Sequence, residues 1–320
     1  MPAPCWNWAK NEGSDMRNGF CAALVELSSA KPIVFLTGDL GFMALEPLQR
    51  AMGDRFINAG VAEQNMVSVA AGAASGGEQC WAYSIAPFVF GRPFEQIRND
   101  VCLHDFDVKL VGNGGGYGYG VMGATHHAIE DYGVLCTLQN MHVHVPAFAD
   151  DVAPIVARMA ASRHPAYLRL GRCEKPKGFD LPDYAPWRRL LGGQAGVLIA
   201  VGPLVGPLLS QAATLPEDER PEIWVATELP FHAGAIPEPC LARIRATETL
   251  FVLEEHVAHG GAGQMLSHLL LQAGVFPRRF HHFHAHGYAS GRYGSQSFHR
   301  IENGIDPASV LAEVGRFAHA

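Results

Sequence analysis

The sequence predicts an α/β protein of two domains, each a mostly parallel β-sheet with helices on both faces. Short apolar runs alternate with segments of helical period along the 320 residues, as in strand–helix–strand units. Residues 32–36 form an unbroken apolar run, which is typical of a strand buried on both faces. A hydrophobic content of 48% is sufficient for two such cores in a chain of this length.

We expect the first domain to span residues 1–175. Helices are predicted where apolar residues recur every three or four positions, and strands where short apolar runs end at turn-forming residues. The predicted helices lie at 16–30, 44–52, 62–73, 90–101, 127–138 and 152–161, and the predicted strands at 32–36, 56–58, 79–84, 108–111, 143–145 and 166–170.

A linker at 176–190 is expected next, because residues 173–189 are rich in proline and interrupt the alternation. The second domain, 191–320, resumes the alternation on a smaller scale. Its predicted strands lie at 196–201, 222–226 and 250–253, and its predicted helices at 204–213, 238–245, 261–272 and 307–318.

Composition and charge exclude several classes of protein. The net charge is −7 without a basic block, which argues against nucleic acid as a partner. The seven cysteines are odd in number and form no C-x-x-C pair, and no secretory signal is visible, so we expect a cytoplasmic protein. The longest uncharged run, 190–216, is broken by glycine and proline, so no membrane span is expected.

Residues 56–100 contain the first candidate site. Glu63 lies at the start of a predicted helix of small residues, which allows a flat cofactor to approach closely. An aromatic loop that includes Phe88 follows one strand later. An acid and an aromatic ring at the ends of neighbouring strands suit a planar heterocycle with a ring nitrogen. The alternative for Glu63 is a helix N-terminal carboxylate that the helix dipole stabilises.

A glycine-rich segment, 112–131, supplies a second candidate. Residues 118–123 match G-x-G-x-x-G, but further glycines separate them from the strand and no ribose-binding carboxylate follows, so a dinucleotide fingerprint is rejected. A flexible substrate-facing loop that leads to His126 at a helix start is the better interpretation. A capping or core role for His126 or His127 is the alternative.

Two arginines and a histidine row complete the candidates. Arg17 and Arg172 offer planar donor forks suited to phosphate, although surface salt bridges are the commoner role of arginine. Residues 281–286 hold four histidines in an apparent strand, where alternation places His282, His284 and His286 on one face. Without cysteine or carboxylate partners nearby, this row does not favour a metal site. Residues 254–256, Glu-Glu-His, suit either a catalytic role or an interface network.

Taken together and in this order, residues 56–72, 83–100, 123–131 and 165–172 resemble the pyrimidine-binding domain of the transketolase family. Residues 254–261 resemble its C-terminal domain. The G-D-G motif of the family's diphosphate-binding domain is missing, since residues 37–40 read Thr-Gly-Asp-Leu. The resemblance therefore implies the C-terminal subunit of a split, two-chain transketolase. It also implies a partner subunit that carries the missing domain, and self-association within an α2β2 assembly.

The resemblance further implies thiamine diphosphate as a shared cofactor, with Mg²⁺ or Ca²⁺ held by the partner chain. By position, Glu63 is expected to bond N1′ of the aminopyrimidine and Phe88, rather than Phe90, to stack on that ring. A buried site should keep the pKa of the Glu63 carboxyl high enough to share a proton. The resemblance implies catalytic roles for Glu63 and His126. It implies that Glu63, Phe88, Val61 and Ile85 contact the cofactor, and that a sugar-phosphate substrate is bound by Arg17, Arg172, His126 and Arg92.

The implied reaction is the transfer of a two-carbon ketol unit from a ketose to an aldehyde. Two departures leave the substrate open. The family usually has an aspartate four residues before its substrate histidine, where this chain has Met122, and a further substrate-facing histidine about a dozen residues before His126, which is replaced in the run 113–116. A decarboxylating or acyl-transferring relative, similar to deoxyxylulose-phosphate synthase or the beta subunit of a 2-oxoacid dehydrogenase, is therefore the alternative. A non-catalytic docking subunit is a third possibility, which the presence of Glu63 and Phe88 disfavours.

Overall fold

A computed structural model describes residues 15–41, 44–173 and 175–318 of the chain. The helices are α1 (Met16–Ala30), α2 (Glu46–Met52), α3 (Glu63–Ser75), α4 (Ala86–Gly91), α5 (Phe94–Gln96), α6 (Asp131–Leu135), α7 (Val152–Ala161), α8 (Val205–Ala212), α9 (Glu238–Thr247), α10 (Ala262–Gln272), α11 (Gln296–Glu302) and α12 (Pro307–Ala318). Among these described helices, none combines the length and the apolar character needed to cross a membrane.

The first sheet has seven strands in the order β10-β5-β6-β4-β3-β1-β2. Their bounds are β1 (Val34–Thr37), β2 (Phe56–Asn58), β3 (Cys80–Ile85), β4 (Val108–Asn113), β5 (His142–His144), β6 (Ala166–Leu170) and β10 (Glu228–Leu229). All neighbours are parallel except β10 and β5, which are antiparallel.

The second sheet has five strands in the order β12-β11-β8-β9-β7. Their bounds are β7 (Trp187–Leu191), β8 (Val197–Val201), β9 (Glu222–Ala226), β11 (Thr249–Val257) and β12 (Arg279–Ala285). Only β7 runs antiparallel to its neighbour β9. The predicted fold class, two mostly parallel sheets with helices on both faces, is confirmed.

The structure corrects the prediction that residues 173–189 are irregular throughout. β7 begins at Trp187 and forms an edge strand of the second sheet. Its Arg188 is buried, with its guanidinium 2.7 Å from the Asp151 carboxylate at the start of α7. A buried ion pair to the first part of the chain thus fixes a strand that the neighbouring prolines conceal. The limits of the two domains stay predictions.

Other differences arise from pairing between distant segments. The predicted helix 127–138 is reduced to α6, because Ala128 instead forms an antiparallel bridge with Gly116. β10, which sequence patterns do not predict, returns the chain after β9 to the edge of the first sheet. The helix α11 is likewise absent from the predicted elements.

Aromatic side chains fill the space between the first sheet and α1. Phe20 of α1 stacks on Tyr83 of β3 with ring centroids 6.0 Å apart, and it also meets Phe35 and Trp81. All four side chains are buried. On the opposite face of the first sheet, α3 packs against the strands through small residues, so the first turn of α3 lies close to the edge of the sheet.

Lys109 is buried inside the first sheet and joins β4 to the end of α7. Its ammonium lies 2.9 Å from the Asp107 carboxylate and donates to the carbonyl of Ser162 at 3.0 Å and to that of His164. Gln79 donates to the same carboxylate. A buried cation here neutralises one acid and satisfies two carbonyls just beyond the end of α7.

We expect Lys109→Met to lower the free energy of unfolding by about 3 kcal/mol, because it leaves Asp107 buried without its cation. Urea denaturation followed by circular dichroism measures this change. The exposed Lys177, changed to Met, is the matched control and should leave the unfolding midpoint unchanged. Equal midpoints for both variants would contradict the assigned role of Lys109.

Candidate active site

The carboxyl ends of five parallel strands meet at one edge of the first sheet, which is where open α/β sheets bind ligands. β1 ends at Thr37, β2 at Asn58, β3 at Ile85, β4 at Asn113 and β6 at Leu170. Most of the residues singled out from the sequence lie at or just beyond these ends.

Glu63 is the first residue of α3 and is 3% exposed. Both carboxylate oxygens have donors: Ser84 of β3 donates to Oε1 at 2.9 Å, and Arg92 donates to Oε2 at 2.7 Å. Arg92 lies just after α4, and 43% of its side chain is exposed. A buried carboxylate therefore carries a partly exposed cation on its outer oxygen.

The pKa of Glu63 differs from the expectation of a raised value. Burial acts in the expected direction and raises the pKa of this carboxyl. The hydrogen bond from Arg92, the helix backbone and the hydrogen bond from Ser84 outweigh burial, so the pKa lies below its usual range. In this structure Glu63 is an ionised acceptor held by a guanidinium.

Phe88 lies between Arg92 and His126. The Arg92 guanidinium carbon is 3.9 Å from the centroid of the Phe88 ring, within cation–π range. The His126 ring meets Phe88 edge-on at 5.2 Å. The neighbouring Phe90 packs instead against the core on the α3 side of the sheet.

His126 lies in a turn five residues before α6, not at a helix start as predicted. Its backbone N–H donates to the carbonyl of Gly123, and its Nδ1 is 2.9 Å from the Thr125 hydroxyl. The ring also approaches Tyr119, with centroids 5.9 Å apart. The turn thus presents one imidazole to two aromatic rings of the site.

Asp15 brings Arg17 and Arg172 together from distant parts of the chain. Its carboxylate is 3.5 Å from Arg17 and 3.8 Å from Arg172, and its backbone bridges that of Arg172. Burial raises the pKa of the Tyr119 hydroxyl, while a hydrogen bond from Asn113 and the two guanidinium charges partly oppose the rise. Tyr119 thus lies next to His126 and within the electrostatic influence of the two arginines.

Several apolar side chains near the site are exposed. Val61, just before α3, is 75% exposed, and Val121 and Met122 are 57% and 53% exposed. Ile85, at the end of β3, is half-buried. Apolar groups of this size at the rim of a cleft are typical of a surface that another molecule covers.

The glycine-rich segment is a tightly packed loop rather than a phosphate-binding one. A Cβ atom at Gly115 would lie 2.2 Å from the Arg169 side chain, and one at Gly116 would lie 2.7 Å from Glu255. Gly116 also has a φ of +63°. These glycines allow the backbone to pass directly over two buried charged side chains.

Glu255 of β11 holds this loop from the second sheet. It is 1% exposed and accepts from the Tyr117 backbone N–H at 3.3 Å, from Gln296 and from Arg300, whose Nη2 is 2.8 Å away. Burial raises the pKa of this carboxyl, but Arg300 and the nearby Arg169 outweigh burial and lower it. Glu255 thus stays ionised inside the protein.

His127 fixes the turn that carries Met122. Its Nε2 is 2.8 Å from the Gly120 carbonyl, so that nitrogen carries the proton and Nδ1 accepts from the Tyr288 hydroxyl at 2.9 Å. Burial lowers the pKa of His127, which keeps the ring neutral. The core role left open for His127 in the sequence is the one the structure gives.

The neighbouring residues of Glu255 are also structural. Glu254 accepts from the first two N–H groups of α10, from Tyr132 and from His282, whose Nε2 lies 2.5 Å away. His256 stacks on Tyr132 with ring centroids 3.9 Å apart. The contacts of residues 254 and 256 form a network between the second sheet and α6 and α10.

The histidine row on β12 has the predicted alternation. The His284 ring lies 4.8 Å from that of His282 and 4.2 Å from that of His286. The expectation of no carboxylate nearby is wrong, since Glu254 pairs with His282. Across the described ranges, His, Cys, Asp and Glu side chains nowhere assemble in threes as a candidate metal site.

Three residues that contribute to this site are not among those predicted from the sequence: Ser84, Tyr119 and Asp15. Ser84 is a fully buried hydroxyl in an otherwise apolar strand, which is a recognisable signal. Asp15 has the N-cap pattern of α1, because its side chain accepts from the Arg17 N–H. Tyr119 has no local signal, since its contacts with Asn113 and His126 depend on the path of the loop between them.

Comparison with known proteins finds one matching family and several similar proteins. The family described as "Transketolase, pyrimidine binding domain" matches residues 12–176. An apulose-4-phosphate transketolase subunit of Actinobacillus succinogenes is 30% identical over 276 residues, covering 83% of this chain and 86% of that protein. A solved structure, "Split gene transketolase, inactive beta4 tetramer", is 30% identical with a TM-score of 0.79, covering 96% of this chain and 99% of that one.

A third relative is a larger protein. The "1-deoxy-D-xylulose-5-phosphate synthase 2" of Geobacter sulfurreducens is 31% identical over 272 residues, which cover 81% of this chain but 42% of that protein. The chain therefore corresponds to less than half of this relative.

We expect Glu255→Gln to lower the free energy of unfolding by about 3 kcal/mol near pH 7, because Arg300 loses its buried counter-charge. The native pKa of Glu255 is lowered, so its stabilisation is present above its ordinary value of 4.5 and is lost as the pH falls through the native value. The difference in the free energy of unfolding between wild type and variant should therefore disappear in acid. Urea denaturation from pH 3 to pH 7 measures it.

Glu219→Gln, at an exposed position, is the matched control for Glu255→Gln. It should follow the wild type at every pH. If the free energy of unfolding of Glu255→Gln differed from that of the wild type by the same amount at every pH, charge would not be the reason for the destabilisation.

Proposed function

The chain belongs to the transketolase family and corresponds to its C-terminal section, and from this premise we propose that it is one subunit of a thiamine-diphosphate-dependent transferase. The proposed reaction transfers a two-carbon ketol unit from a phosphorylated ketose to an aldehyde acceptor. The observation that carries the proposal is that one guanidinium, that of Arg92, contacts both the buried Glu63 carboxylate and the Phe88 ring at the carboxyl edge of the first sheet.

The residues present fit the aminopyrimidine half of this cofactor. A flat guanidinium already bonds Glu63 and covers Phe88, so the two side chains accommodate a planar group that donates a hydrogen bond. When bound, thiamine diphosphate supplies the carbanion chemistry that breaks and forms a carbon–carbon bond beside a carbonyl. Glu63 would share a proton with N1′, and Phe88 would orient the ring by offset stacking. Val61 and Ile85 would line the same pocket.

The substrate would lie along the remaining residues of the edge. Arg17 and Arg172, drawn together by Asp15, offer two cations for a phosphate group. His126, next to Phe88, would donate to or accept from the reacting oxygen. Arg92 lies on the same side and is the third cation available to an anionic substrate.

The diphosphate and its Mg²⁺ or Ca²⁺ would be held by a partner subunit. The sequence lacks the G-D-G motif, and Asp39 at the matching strand end already accepts from Asn58 at 3.0 Å. The exposed Val61, Val121 and Met122 supply an apolar surface for such a partner. An α2β2 assembly, self-associating through this chain, is the proposed arrangement, and free thiols at the described cysteines agree with a cytoplasmic location.

A decarboxylating enzyme is the second candidate, favoured by one observation. Met122 is exposed beside His126 where the family usually has an aspartate, and a thioether cannot hold a sugar hydroxyl strongly. The likeness to a deoxyxylulose-phosphate synthase supports the same alternative.

We expect Glu63→Gln to lower the rate of transfer by the reconstituted two-subunit protein at least ~100-fold, since an amide cannot share its proton as an acid does. Ketol transfer from a ketose phosphate, measured as product formation, tests this. Glu95→Gln, on α5, is the control and should retain wild-type turnover. Unchanged turnover of Glu63→Gln would contradict the proposal.

Product analysis separates the two candidate reactions. Incubation of the reconstituted protein with a ketose phosphate and an aldehyde, with apulose 4-phosphate among the donors, should give a new ketose without carbon dioxide. A parallel incubation with pyruvate and an aldehyde should give no carbon dioxide. Carbon dioxide release in the incubation with pyruvate would favour the decarboxylating enzyme.

A further inference from the structure

We propose that Arg92 is a positioning residue that occupies the pyrimidine half-site of this chain before the cofactor binds and is displaced by the cofactor ring. This inference rests on the proposed function. It assigns Arg92 a role toward the cofactor in addition to the substrate contact that the family resemblance implies.

Arg92 makes the same two contacts that the aminopyrimidine is expected to make. Its Nη1 donates to Oε2 of Glu63 at 2.7 Å, and its guanidinium carbon lies 3.9 Å above the Phe88 ring. The other oxygen of Glu63 is bonded to Ser84. Arg92 thus presents a flat donor to the outward-facing oxygen and to the face of the ring.

The two occupants exclude each other. One face of a phenyl ring at 3.9 Å admits a single flat group, so the cofactor ring cannot stack there while Arg92 remains. The charges are also incompatible, because a guanidinium keeps Glu63 ionised and acceptor-only, whereas N1′ needs a carboxyl that shares a proton. Binding of the cofactor therefore requires Arg92 to leave Glu63.

The position of Arg92 allows this movement. Its side chain is 43% exposed, whereas that of Glu63 is 2% exposed. Before the ring arrives, the guanidinium gives the buried carboxylate a counter-charge and holds it beside Phe88. After displacement, the free cation lies beside His126 and Phe88, where an anionic substrate would approach. Cofactor loading and substrate binding are thereby coupled through one residue.

The test is isothermal titration of the reconstituted two-subunit protein with thiamine diphosphate in the presence of Mg²⁺. Arg92→Met keeps a linear side chain but removes the competing charge and the flat donor. We expect the complex with this variant to bind the cofactor about tenfold more tightly than the wild type, because one charge-assisted hydrogen bond no longer has to be broken. Arg92→Gln should shift the affinity in the same direction. Arg98→Met is the matched control, since Arg98 is exposed and bonds Asn99 instead.

A second measurement distinguishes the coupling from a general effect on the site. The KM for a phosphorylated ketose should rise in Arg92→Met while cofactor affinity improves, so the two constants move in opposite directions. Weaker or unchanged cofactor binding by Arg92→Met would overturn the inference while leaving the proposed function intact. Absence of cofactor binding by the wild-type complex would overturn the proposed function, and this inference with it.

Discussion

The candidate site depends on one buried carboxylate that lies outside it. Glu255 belongs to the second sheet, yet it holds the Tyr117 backbone of the loop that carries Tyr119 and His126. Because Glu255 is fully buried, it requires the cations of Arg300 and Arg169 and a loop backbone without side chains above it. Gly115 and Gly116 therefore leave room for the buried side chains of Arg169 and Glu255. The second part of the chain thus shapes a site whose other residues belong to the first.

Glu63 shows how burial and a neighbouring cation compete over one carboxyl. Burial alone raises its pKa, while Arg92 lowers it. In the proposed function, this carboxyl would be an acceptor while Arg92 is present and would share a proton once that cation has left. In the same proposal, Arg92 makes the contacts with Glu63 and Phe88 that the cofactor ring would make. This explains why a residue expected at the substrate lies against two residues expected at the cofactor.

Local patterns predicted the elements whose hydrogen bonds are local or whose apolar runs are continuous. The bounds of α1, α7, β2 and β6 agree with the expected ones, and β3 is shifted by one residue. The errors lie where distant segments pair: Ala128 joins Gly116 instead of a helix, and β10 returns to the first sheet. β7 is stabilised by the Arg188–Asp151 ion pair across 37 positions, which no short window contains.

The sequence by itself determined the alternation of strands and helices, and its resemblance to the transketolase family implied Glu63, Phe88, His126 and the two arginines as site residues. It could do so because side-chain period and residue chemistry are local properties. Only the tertiary structure decided which candidates meet: Asp15 gathers Arg17 and Arg172, and Arg92 lies on Glu63 and Phe88. These contacts depend on the order of parallel strands in the sheet and on long-range ion pairs, and neither leaves a trace in residue spacing.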